Sequence, residues 1–134
     1  RIGGWSPASG GALLLQTLTP CRIVDTRNPT GAWGGPALGA GETRTFEIGG
    51  QCGVPADAGA VTMNVTVTKA TAAGSLTFFP GAGVPPETTT ISFSAGRTRA
   101  NNSVMGLVDG LLSVHDAQAT GTVDVIIDVS GYFR

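Results

Sequence analysis

Hydrophobic and polar residues alternate most clearly over residues 60–68. Val61, Met63, Val65 and Val67 take one set of positions; Thr62, Asn64, Thr66 and Thr68 take the other. A period of two predicts a strand with one face in the core and the other towards solvent or a partner. Shorter apolar or alternating runs predict further strands at 12–18, at 21–26 (opened by Pro20), and at 43–48, where Phe46 and Ile48 share a face. More follow at 76–79, 89–94, 98–107, 111–115 and 122–129, the last closing at Gly131-Tyr132-Phe133. Asp109-Gly110, between 105–108 and 111–115, is a two-residue hairpin signal. Residues 28–42 and 80–87 are rich in Gly and Pro and read as loops. Residues 49–60 read as a turn region with one helical turn at 55–58. No stretch holds a 3.6-residue period, and no internal repeat suggests a propeller or solenoid. About nine short strands, spaced by turn signals every ~8–15 residues, predict an all-β antiparallel sandwich or jelly-roll-like single domain.

Composition sharpens that picture. The 134 residues include 21 Gly and 8 Pro, with Val and Thr abundant and Lys present once, at Lys69. Such a mix suits strands joined by tight turns. Disorder is opposed by a hydrophobic content of 41% with only 13% charged residues. The 8 cations against 9 anions argue against a nucleic-acid partner, which requires a basic footprint. No apolar run reaches the roughly 18 residues of a membrane span. The chain opens at Arg1 with no basic-then-apolar leader, so any targeting peptide is expected to have been removed already.

Cys21 and Cys52 are the two cysteines. In a chain rich in Thr and poor in Lys they read as a disulfide, the alternative being two buried free thiols. A bridge closing a loop of about 32 residues stabilises by roughly 3–4 kcal/mol in the chain-entropy model. It also implies an oxidising compartment, secreted or at a cell surface. Two Cys and the single His115 cannot supply four soft ligands, so neither a metal nor any other cofactor is expected.

Four segments then form a pattern in order: PCRIVDTR (20–27), the block from Gln51 to Pro80, the block from Thr89 to Val104, and VDVIIDVSGYF (123–133). Together they resemble a family of bacterial extracellular domains framed by Pro-Cys-Arg-x-x-Asp-Thr-Arg at the start and Asp-Val-x-Gly-Tyr-Phe at the end. The resemblance covers about residues 20–133. It implies an extracellular β-domain of a secreted or surface protein and carries no catalytic activity with it.

Charged residues cluster near these motifs: Asp25, Arg27, Arg97, Arg99, Asp124 and Asp128. Arg forks pair with carboxylates through two parallel hydrogen bonds. Asp25, Arg27, Arg99, Asn101, Asn102 and Asp128 are therefore expected to form a structural polar network between the first strand, the Asn101-Asn102 corner and the last strand. A polar sugar site is the functional alternative. Asp25 and Asp128 are the carboxylate pair a hydrolase would need, but no neighbour suggests a raised pKa. His115 lacks any nucleophile elbow, so no catalytic residue is assigned. The Gly-rich stretch at 31–41 has no Lys and no following helix, so it is no phosphate cradle. Trp33 is a candidate glycan-stacking ring, or else a lid over a sheet edge; Trp5 and Tyr132 are the other large amphipathic aromatics. Asn64-Val-Thr66 and Asn101-Asn-Ser103 match the glycosylation triplet.

Residues 1–19 read as an N-terminal arm, and 20–134 as the sandwich domain. Residues 2–19 carry no charge, and Leu13, Leu14, Leu15 and Leu18 are apolar anchors. The arm can pack on its own domain as an edge strand, or add as a strand to a neighbouring copy. The leading expectation is a non-enzymatic extracellular structural module that self-associates, as a filament or surface-assembly subunit using this arm. The alternative is a carbohydrate-binding or adhesion module with a polysaccharide partner.

Overall fold

The computed structural model describes residues 13–82 and 89–134. Nine strands lie among them: β1 (Leu15–Asp25), β2 (Leu38–Gly39), β3 (Thr43–Glu47), β4 (Ala60–Thr68), β5 (Gly74–Pro80), β6 (Thr89–Phe93), β7 (Arg99–Gly106), β8 (Leu111–Asp116) and β9 (Thr122–Phe133). No helix occurs among the described residues, and residues 55–58 form only a turn, closed by the Ala58 N–H donating to Pro55 O at 3.1 Å.

The pairing is nested. First meets last in β1–β9, and inside that pair come β3–β8, β4–β7 and β5–β6, all antiparallel. Folding such a ribbon over itself brings β4 against β9 and β5 against β8. Two sheets result, one in the order β1-β9-β4-β7 and one in the order β3-β8-β5-β6. β2 continues along β9 beyond the end of β1, pairing Leu38 with Val123. This is the jelly-roll sandwich the spacing of strands predicts.

The two inner faces make the core. Val61, Met63, Val65 and Val67 of β4 are buried, as are Val123, Val125, Ile127 and Val129 of β9. Facing them are Phe46, Leu76, Phe78, Leu112 and Val114. The alternation read at 60–68 holds residue for residue, with Thr62, Asn64, Thr66 and Thr68 half-buried on the outer face. Cys21 and Cys52 are disulfide-bonded, tying β1 to the turn after β3 with a Cα–Cα distance of 5.9 Å.

Three expectations change. The runs 12–18 and 21–26 are one strand, not two, so the arm–domain boundary at 19/20 falls inside β1. Pro20 does not break the strand because β1 is an edge strand and the register shifts there, between Thr17 and Cys21. Next, Asp109 (φ 54°) and Gly110 (φ 75°) do form a two-residue turn with Leu111 N–H donating to Val108 O, but it is not a hairpin within one sheet. It carries the chain from β7 in one sheet to β8 in the other, and only Val108 and Leu111 bridge. Finally, the loop 28–42 contains β2.

Candidate functional site

The two framing motifs are neighbours in space, because β1 and β9 pair. Their register sets a polar row across the outer face of the five-stranded sheet. Arg22 lies opposite Asp128, Asp128 opposite Asn64, and Asn64 opposite Asn102. The Arg22 Nε donates to Asp128 Oδ1 at 2.8 Å and its second nitrogen to Oδ2 at 3.3 Å. This fork holds the Arg22 guanidinium protonated above its already high ordinary value. The row borders an open depression of about 550 Å³, also lined by Pro20, Val129 and Ser130. A second depression of about 410 Å³ continues it across Thr62, Ser130 and Val104, where the Thr62 and Ser130 hydroxyls are 3.0 Å apart. Among the described residues, neither the Asn64 nor the Asn102 amide side chain makes a hydrogen bond.

Gly131 is required by the same geometry. A Cβ there would lie 2.8 Å from the Gln16 carbonyl oxygen and 3.0 Å from the Thr62 hydroxyl. Only a residue without a side chain lets β1 and β4 close on β9 at this point.

At the far end of β1, Asp25 is buried. Its carboxylate accepts from the Arg27 backbone N–H, from Arg27 Nε and from the terminal Arg27 nitrogen. The Arg27 side-chain bonds, aided by its backbone N–H and charge and by Arg22, outweigh burial and hold Asp25 below the usual carboxylate range. Arg22 also approaches Asp25 at 3.8 Å. Thr26 is buried beside it; its hydroxyl donates to Asp124 Oδ1 at 2.7 Å and accepts from the Val125 N–H at 2.9 Å.

The expected network is therefore partly reassigned. Asp25, Arg27 and Asp128 are linked, but through Arg22, which the sequence reading passed over. Arg99, Asn101 and Asn102 do not join it: they are exposed on β7, with β9 and β4 between them and β1. The one signal for Arg22 was its place in PCRIVDTR between Cys21 and Asp25; its carboxylate partner lies 106 residues away. Thr26 carried no signal beyond its place in the motif.

Other candidates lie elsewhere. The Trp33 indole N–H donates to Glu47 O at 2.8 Å and its ring packs on the core, so it covers rather than protrudes. His115 is on the other sheet, its Nδ1 2.8 Å from the Thr43 hydroxyl. Leu15 pairs with Phe133 of its own chain, and Leu14 exchanges backbone hydrogen bonds with Arg134. Leu18 packs against the core, while Leu13 is half-buried and Leu14 and Leu15 are exposed. Leu15 thus belongs to an edge strand of its own chain, while the Leu14 and Leu15 side chains stay exposed. Trp5 and the rest of 1–12 lie outside the described residues. Among the described residues no group of three or more His, Cys, Asp or Glu is placed to hold a metal ion. No described helix is long and apolar enough to cross a membrane.

No family model matches the chain. No curated protein matches it either. Among solved structures, the Tobacco streak virus coat protein is similar at 10% identity, over 95% of this chain and 90% of that one, with a TM-score of 0.43. A structure of the same virus's coat protein dimer is similar at 10% identity, over 88% and 86%, with a TM-score of 0.42. At such values the similarity carries no functional argument.

Proposed function

We propose that the chain is a non-catalytic structural module that self-associates through the open edges of its five-stranded sheet. One observation carries this reading. The order β1-β9-β4-β7 leaves β1 and β7 unpaired on their outer sides among the described residues. Unpaired edges are templates for strand pairing. One edge supports a closed dimer, and two support an open chain of copies. The site chemistry favours structure over turnover. Asp25 and Asp128 both answer to Arg22, and Asp25 is held in its charged form, the opposite of a general acid. The disulfide suits an oxidising, extracellular setting.

The test is the assembly state of the full chain by light scattering and negative-stain imaging, beside a chain lacking residues 1–12. Oligomers of the full chain are expected. A monomer at every concentration overturns the reading.

A second reading, a glycan-binding module, rests on the two amides of Asn64 and Asn102 beside the Arg22–Asp128 pair. Amides present both donor and acceptor to sugar hydroxyls. A glycan array is its test: hits lost in Asn64→Ala support it, and an empty array at high protein concentration removes it.

A further inference from the structure

We infer that β7 pairs with β7 of a second copy across a two-fold axis, joining the two five-stranded sheets into one. This rests on the self-association reading and names the edge that carries it.

The four sheet edges are not equal. β1 is interrupted by Pro20 and by two register shifts, and carries Arg22. Proline, bulges and charge are the devices that blunt an edge. β3 carries Arg44 and Glu47, and Arg44 is bound to Glu42 and to the Pro36 carbonyl. β6 is five residues long. β7 has none of these protections from Ala100 to Gly106. It contains no proline and no charge there, and its register with β4 runs without a shift from Ala60–Gly106 to Val67–Arg99. Val104 is 58% exposed on it.

The backbone phase fixes which groups face outward. Leu107 N–H donates to Gly59 O, towards β4. Backbone groups alternate sides along an antiparallel strand. Met105, Ser103 and Asn101 thus address β4, and Ala100, Asn102, Val104 and Gly106 address the open edge. A two-fold axis through Ser103 pairs Asn102 with Val104 of the second copy, and Ala100 with Gly106. Every outward group on that stretch then finds a partner. Arg99 falls opposite Leu107 of the second copy, so no like charges meet. The occupant is a second copy because a two-fold axis is what generates antiparallel pairing of a strand with itself, and because this stretch is neutral. The Asn64–Asn102 row of one copy then runs into the Thr62–Val104 row of the other.

The experiment is sedimentation velocity on the full chain and on two variants, with circular dichroism to check the fold. Asn102→Pro removes an outward N–H that the β4 ladder does not use. Val104→Lys changes only an exposed side chain and decides the matter if the proline variant unfolds. A wild-type dimer is expected, with both folded variants monomeric. A wild-type monomer overturns self-association altogether. A wild-type dimer that both variants keep overturns β7 pairing alone. Growth beyond the dimer that the variants return directly to monomer would make β1 of a second copy the occupant, and the two-fold pairing would be wrong.

Discussion

The Asp25 carboxylate is clamped by Arg27 two residues along, through the backbone N–H at 3.1 Å, Nε at 2.9 Å and the terminal nitrogen at 2.8 Å. The clamp sits where β1 ends, and it turns the chain out of the sheet with a buried carboxylate fully engaged. Together with Arg22 on Asp128 it explains why charges recur in the PCRIVDTR segment of a chain with so few: Arg22 fixes the first strand to the last, and Arg27 holds the turn that follows.

Asp25 has a folded pKa lowered by its bonds to Arg27. Its contribution is complete above the ordinary carboxylate value and is lost as pH falls through the lowered folded value. Urea denaturation from neutral to acid pH should show that decline. Asp25→Asn should remove this part of it and cost about 1–3 kcal/mol at neutral pH.

Asp116 behaves in the opposite sense. It is buried in β8; one oxygen accepts the Gln118 N–H at 2.8 Å and the other has no partner. Burial raises its pKa. Stability tied to this group is present below the ordinary carboxylate value and is lost as pH rises through the raised folded value. Asp116→Asn should flatten that part of the pH curve, measured by thermal denaturation across the acid range.

Thr26, just past the end of β1, ties the chain to β9 through its hydroxyl. Thr26→Val leaves the Val125 N–H buried without its acceptor and takes the hydroxyl from Asp124. A loss of about 1–3 kcal/mol is expected. Thr26→Ser should recover most of it in the same denaturation experiment.

The Cys21–Cys52 bridge spans a sequence separation of 31. Replacing both residues by Ala should lower stability by roughly 3–4 kcal/mol. The wild-type melting temperature should fall with a reducing agent, and that of the double variant should not.

Strand existence was legible wherever alternation was strong. Residues 60–68 are the best case: four valine or methionine positions meet the core, and the intervening polar positions do not. Asp109-Gly110 was legible as a turn, because two successive positive φ angles favour those residue types. Its role was not, since a turn sequence does not say whether the strands it joins share a sheet. Pro20 reads locally as an interruption, yet β9 accepts β1 on both sides of it through shifted register. Arg22 was missed for a related reason: its partner Asp128 is 106 residues away.

The sequence by itself determined the all-β class, the number and approximate place of the strands, and which faces are apolar. Those follow from local period and turn chemistry, which act over a few residues. Only the tertiary structure decided that the run from Leu15 to Leu18 lies in the chain's own sheet, that Arg22 rather than Arg99 links the carboxylates, and that β7 is an open edge among the described residues. Each depends on which strand lies beside which, and that is set by burying two inner faces against one another at long separation along the chain.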